Sequence, residues 1–235
     1  RSRPPQLARQ KLDAGHAEYL KKVRRLTQET YDHYQDAVRL DPDFLPVRFN
    51  LAMLCNERQE NKEAEKHLQA ALAIEPNHPD AQYSLGLLLA EDSARLDEAA
   101  EHLGLAASLD PNNPRIRYNY ALALQNLKKM DEAEVQFNRI LMIEPGNPDY
   151  LNALAILYAQ MERWDEAVRT VKMMQQLMPD NPQFIAMEAS FYAQQEKWKE
   201  AYGAARRLQL IEPNNPAVMQ MVEQYRQKAE AAGGN

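Results

Sequence analysis

The sequence Pro111-Asn112-Asn113-Pro114 recurs along the chain with small changes. The copies are Pro42-Asp43-Phe44-Leu45-Pro46, Pro76-Asn77-His78-Pro79, Pro145-Gly146-Asn147-Pro148, Pro179-Asp180-Asn181-Pro182 and Pro213-Asn214-Asn215-Pro216. Their first prolines, with Pro111 included, are 34, 35, 34, 34 and 34 residues apart. A fixed period of this length is typical of helical repeat arrays, so the sequence predicts an array of short helices.

Each copy closes one helix and opens the next. Proline has no N–H and cannot continue a helix, so the first proline ends one. The second proline suits the first position of the next helix, where the amide would be unpaired anyway. The residue before it is Asn113, Asn147, Asn181 or Asn215 in four copies, and asparagine is a good N-cap because its oxygen accepts from the first amides. Connections this short predict that consecutive helices pack against each other.

The periodicity divides the 235 residues into a lead-in, a cap, five repeats and a second cap. Apolar residues at helical spacing before the first proline predict a capping helix, and residues after the last copy read as an amphipathic helix with a short tail. The predicted boundaries are 1–11 for the lead-in, 12–44 for the N-terminal capping helix, 45–78, 79–113, 114–147, 148–181 and 182–215 for the repeats, and 216–235 for the C-terminal capping helix and tail.

Two rows of small residues recur at the repeat period. Small side chains let two helices approach closely, so these rows predict the contact lines between helices. One row is Ala52, Gly86, Ala121, Ala155 and Ala189, and the other is Ala64, Ala99, Ala133, Ala167 and Ala201.

Over about residues 28–230, this pattern resembles the tetratricopeptide repeat (TPR) family. The resemblance rests on the period, the two small-residue rows and the closing prolines. It implies an all-α, right-handed superhelical solenoid of antiparallel helix pairs with a capping helix at each end. The first helix of each pair would line a concave groove that binds other proteins or peptides without chemistry of its own. Arg48, Arg117 and Glu188 depart from the family pattern, which has large apolar residues there.

Some segments are similar to bacterial TPR modules attached to exported multihaem cytochromes. Examples are the stretches 41–52 and 117–124. This narrower resemblance implies the periplasm or cell envelope, with the cytoplasm as the alternative. The chain has no Cys-x-x-Cys-His sequence, so it is predicted to carry no haem, and no other cofactor is expected.

Composition narrows the classes of function. The net charge of −6 argues against nucleic acid as the main partner. No apolar stretch reaches the ~18 residues of a membrane span. There is no glycine-rich phosphate loop, His-Glu-x-x-His or nucleophile elbow, so we predict that the chain is not an enzyme. Cys55, the single cysteine, lies in an apolar row and is predicted to be a core residue.

Three histidines recur at the repeat period: His33, His67 and His102. Imidazole binds zinc, copper and iron, so one hypothesis is a metal-facing ladder. The other is a half-exposed row that tolerates any polar residue. The row continues as Gln136 and Thr170, and no cysteine or aspartate completes a ligand set. The second hypothesis is therefore favoured, and no metal site is predicted.

The candidate binding residues lie on the first helices of repeats one to four. Aromatic rings offer flat apolar contacts, and asparagine amides can both donate to and accept from a peptide backbone. The alternative is that the aromatic residues pack between repeats. The predicted groove residues are Phe49, Asn50, Tyr83, Ser84, Leu87, Arg115, Tyr118, Asn119, Leu122, Asn152 and Ile156. Ala186 and Ser190 make the fifth repeat bland by comparison.

Three hypotheses of function follow. The first is a scaffold that binds a protein segment in the groove. The second is a docking or regulatory domain of a larger enzyme or multihaem electron-transfer protein, because a chain that begins at Arg1 is expected to be a processed form or an excised piece. The third is weak self-association between the acidic array and its basic N-terminal helix, which salt would weaken.

Overall fold

The computed structural model describes residue 25 and residues 27–232, and every regular element among them is helical. The predicted lead-in and the start of the N-terminal capping helix lie outside this range. Helix α1 covers 27–40. The others are α2 (Leu45–Glu57), α3 (Asn61–Ile74), α4 (Pro79–Leu89), a 3₁₀ turn (Ser93–Arg95), α5 (Leu96–Leu109), α6 (Pro114–Asn126), α7 (Met130–Ile143), α8 (Pro148–Gln160), α9 (Trp164–Leu177), α10 (Pro182–Gln194), α11 (Trp198–Ile211) and α12 (Pro216–Ala232).

The helices form two compact units. Unit 1 ends at Leu109 and unit 2 begins at Asp110. Within unit 1, α2 packs on α3, α3 on α4 and α4 on α5. Within unit 2, each helix from α6 to α12 packs on the next. Consecutive packing of short helices is the all-α architecture that the periodicity predicts.

The recurring turn has the predicted caps. The side-chain oxygen of Asn113 accepts a hydrogen bond from the backbone amide of Ile116, at 3.4 Å. Asn147, Asn181 and Asn215 accept from the amide two residues further on, each at 3.0 Å. In the turn 76–79 the ring of His78 is the cap: its Nδ1 accepts from the backbone amide of Ala81, at 3.2 Å. This cap was not predicted from the sequence.

In three of these turns the asparagine also holds the preceding helix. Its amide Nδ2 donates to the carboxylate that stands before the first proline. The pairs are Asn113–Asp110 at 3.0 Å, Asn147–Glu144 at 2.8 Å and Asn215–Glu212 at 2.7 Å. A single side chain therefore ties the end of one helix to the start of the next.

The two small-residue rows lie in the core, as predicted. All five alanines of the row from Ala64 are 0% exposed, and so are the four alanines of the row from Ala52. Gly86 shows why size matters there: a Cβ on it would lie 2.7 Å from Cγ of Leu103 on α5. The helices of a pair thus meet at distances that only small side chains allow.

The corner between the two helices of a pair turns through a left-handed residue. In the part of the chain that the structure describes, four non-glycine residues have positive φ, namely Gln59 at 61°, Lys128 at 62°, Glu162 at 56° and Glu196 at 57°. This conformation costs an L-residue roughly 1–2 kcal/mol because its Cβ crowds the following carbonyl. The second pair has the 3₁₀ turn Ser93–Arg95 instead, at the site of its one-residue insertion.

Glu188 on α10 replaces a large apolar residue with a buried carboxylate. Its side chain is 4% exposed and is paired with Arg207 of α11. Gln175 of α9 donates to it at 2.9 Å, and Lys172 lies 3.9 Å away. The charge is thus compensated from both neighbouring helices, which is what burial of a carboxylate requires.

Glycine at the left-handed corners of unit 2 should stabilise it. We expect Lys128→Gly, Glu162→Gly and Glu196→Gly each to raise the free energy of unfolding by roughly 0.5–1 kcal/mol, since relief of strain exceeds the added chain entropy. Trp164 and Trp198, both in unit 2, report the melt by fluorescence. Arg206→Gly, on the exposed side of α11, is the control and should cost about 1 kcal/mol. Destabilisation at all three corners would contradict the strain argument.

Substitutions of Glu188 and of Arg207 should change the free energy of unfolding of unit 2 unequally. Arg207→Ala should lower the free energy of unfolding by roughly 1–3 kcal/mol, because the buried carboxylate loses its closest partner. Glu188→Leu restores the apolar residue and frees half-exposed cations to water, so the stability of unit 2 should be unchanged or higher. Arg206→Ala is the matched control. A larger loss in Glu188→Leu than in Arg207→Ala, measured by urea unfolding, would refute this account.

Candidate functional site

The groove residues of unit 1 are partly used in packing. Tyr83 is only 7% exposed, so little of its ring is available to a ligand. The ring of Phe49 lies 5.4 Å from that of His78 and packs against the core. Ser84 donates to the sulfur of Met53 at 3.8 Å, and Asn50 is exposed. The aromatic residues thus do serve the packing role that the sequence analysis kept as an alternative.

In unit 2 the groove residues of α6 are tied to one another and to the core. Tyr118 contacts Phe137 and Tyr150, with ring centroids 6.0 and 5.4 Å apart. Asn119 donates to the backbone oxygen of Arg115 at 3.0 Å. Leu122, half-buried, packs against the core.

The last two groove residues, Asn152 and Ile156, border an open recess of about 580 Å³ between α8 and α10. Ile156 is 40% exposed and forms part of its apolar wall. Phe191 forms another part, and its ring lies 6.0 Å from that of Trp164. The recess is lined by Asn152, Ile156, Ala159, Gln160, Ala186, Met187, Ser190 and Phe191.

Of the residues that line this recess, only Asn152 and Ile156 were predicted as binding residues from the sequence. Ala186 and Ser190 were considered bland, yet their small side chains leave the space open. They stand at the α10 positions that correspond to Asn152 and Ile156 on α8. A fall in side-chain size at matched positions of neighbouring first helices is the signal that would have found it.

Polar pairs cross from first to second helices in the core. Gln82 donates to the oxygen of Pro76 at 2.7 Å, and its own oxygen lies 2.5 Å from Nδ1 of His102. That oxygen can only accept, so Nδ1 of His102 carries the proton. Arg117 repeats the arrangement: it donates to the oxygen of Pro111 at 2.8 Å and to Gln136 at 3.1 Å. Burial lowers the pKa of the Arg117 guanidinium from its usual value.

His67 is the buried histidine of the row. It is 5% exposed, and within the described part of the chain neither ring nitrogen has a hydrogen-bond partner. The expectation of a half-exposed row is therefore wrong here, because α3 turns this position into the core. His33 on α1 is exposed. No group of three or more His, Cys, Asp or Glu side chains among the described residues is arranged to hold a metal ion.

Cys55 is a buried free thiol, as predicted for a core residue. Burial raises its pKa, which keeps it protonated and unreactive. Over residues 25 and 27–232, no helix combines the length and the apolar character needed to cross a bilayer.

His67 and the half-buried His102 should make the stability of unit 1 depend on pH. Burial lowers the pKa of both His67 and His102. Arg48 adds to the effect at His67, whereas Glu101 and Glu98 oppose it at His102 without reversing it. The folded state therefore favours neutral rings, and stability present above the unfolded pKa of about 6.5 is lost as the pH falls below it. Hydrogen-exchange protection of α2–α5 should be lower at about pH 5.5 than at about pH 7.5, which lie roughly one unit below and one unit above that pKa.

His67→Gln, which copies Gln136 of α7, should reduce this dependence on pH. His33→Gln changes an exposed histidine and should leave it unaltered. Equal protection at the two pH values in the unmodified protein would show that the histidines do not couple to folding.

Comparison with known proteins agrees with the geometry. The sequence model described as Tetratricopeptide repeat matches residues 26–88 and 88–157, and a second model with the same description matches 151–180. No curated protein sequence is significantly similar.

Three solved structures illustrate the shared fold. YrrB, described as a TPR protein with an unusual peptide-binding site, has a TM-score of 0.67 and 16% identity, over 80% of this chain and 96% of its own. MamA from Desulfovibrio magneticus RS-1 has a TM-score of 0.62 and 17% identity, over 73% of this chain and 97% of its own. PilF of Pseudomonas aeruginosa has a TM-score of 0.58 and 20% identity, over 96% of this chain and 100% of its own. With matched repeats over more than half of its length, the chain belongs to the tetratricopeptide repeat family.

Proposed function

We propose that this chain is a non-catalytic scaffold that binds a segment of another protein on the groove-residue side of its first helices. The observation that carries the proposal is the open recess of about 580 Å³ between α8 and α10. Its volume is within the usual range of ligand sites, roughly 300–1,000 Å³. Its walls are mainly apolar, with a few polar groups that can orient a ligand.

The composition of the surface supports a protein segment as the ligand. Asn50 and Asn152 present amides, which can pair with the N–H and C=O groups of an extended chain. Gln160 offers its NH₂ group, because its side-chain oxygen accepts from Gln125 at 2.7 Å. Asn152 and Gln160 stand on one helix, α8, which holds their two amides in the same wall of the recess. YrrB, which shares the fold, is described as having a peptide-binding site.

The test is capture of partners from the source organism by the intact protein and by single variants. Asn50→Glu, Leu87→Glu and Ile156→Glu each place a charge on the groove side. We expect at least one to weaken binding of the main captured protein about tenfold, or about 1.4 kcal/mol, in calorimetry with the purified partner.

Met173→Glu is the matched control. Met173 is 48% exposed and Ile156 is 40% exposed, but Met173 lies on the second helix α9. Variants must first give unchanged melts. Unaltered affinity in all three groove variants would overturn the proposal.

A further inference from the structure

From the recess between α8 and α10 we infer the chemistry of its occupant: a partner segment that presents one bulky apolar side chain and carries no charge beside it. The inference rests on the proposed function and specifies the ligand at one place.

The charge of the lining is the first argument. Among the described residues that line the recess none is charged, and its polar groups are Asn152, Gln160 and Ser190. The corresponding positions to Gln160 in unit 1 are Glu57 and Glu91, both exposed. An ionic group that entered the recess would leave water without a counter-charge, which is costly. A neutral apolar group would gain from the same transfer.

The apolar walls of the recess suit a bulky side chain. The ring of Phe191 packs against that of Trp164, with 6.0 Å between the ring centroids, and against the core. It offers a preformed flat surface for an aromatic or branched side chain. Met187 is half-buried, and its flexible thioether can adjust to the guest's shape.

The opening is made by small residues. Ala186 and Ser190 are half-buried and stand on α10 opposite Asn152 and Ile156 of α8. Ala186 also packs against the core cluster of Ile185 and Leu208, so Ser190 is the main position for a blocking substitution. A large side chain at Ser190 would fill the space and leave Ala189 of the contact row unaltered. This gives variants that block the recess while the contact line between α10 and α11 stays intact.

The experiment uses the full chain with ¹³C-labelled methionine and isoleucine methyl groups. The probe is a short capped peptide, Ac-Ser-Gly-Phe-Gly-Ser-NH₂, with two versions in which the phenylalanine is aspartate or lysine. We expect the phenylalanine peptide to shift the methyl signals of Met187 and Ile156. The two charged versions should bind at least about tenfold more weakly.

Ser190→Phe and, as a second blocking variant, Ala186→Leu should each abolish the shifts, whereas Arg206→Phe on α11 should bind like the unmodified protein. Equal binding of the charged peptides, or unchanged binding by the blocking variants, would overturn the inference. The methyl signals of the unmodified protein decide the first point even if a variant fails to fold. If Asn50→Glu or Leu87→Glu weakens capture of the partner while the peptides give no shift, only this inference fails and the proposed function stands.

Discussion

The junctions between successive helix pairs depend on the side-chain hydrogen bonds of the asparagine in the recurring turn. In the turns of Asn113, Asn147 and Asn215, the side-chain oxygen caps one helix while the amide nitrogen holds the carboxylate at the end of the previous one. Without the cap, the first backbone N–H groups of α6, α8 and α12 would lose this side-chain partner. With it, the start of each of these helices is fixed within a connection only a few residues long.

The sequence was sufficient for the features that depend on neighbouring residues. Proline positions, asparagine caps and the buried alanine rows all come from chemistry within one turn or one helix face, and the structure has them where the period predicts. The cap formed by His78 was missed because histidine is a rare choice there, although its ring nitrogen accepts as an asparagine oxygen does.

Features that depend on distant partners could not be predicted in this way. Glu188 looked like a break in an apolar row because its partners Arg207 and Lys172 lie on two other helices. The recess was missed for a related reason: it exists where Ala186 and Ser190 are small, and a space is not visible in a list of residue types. The predicted roles of Phe49 and Tyr118 as binding residues stay predictions, since both rings also have packing contacts.

The polar pairs between first and second helices address a problem peculiar to repeated sequences. Helices of nearly equal shape can pack against the wrong partner during folding, and misassembly and domain swapping are characteristic of repeat proteins. Gln82 meets His102 in one pair, whereas Arg117 meets Gln136 in another. The counterpart on α9 is Thr170, a shorter side chain whose hydroxyl donates to the backbone oxygen of Glu166 in its own helix, at 2.9 Å. Each polar contact lies within one helix pair and differs from pair to pair, so a first helix that packed against the second helix of another pair would not meet its own polar partner.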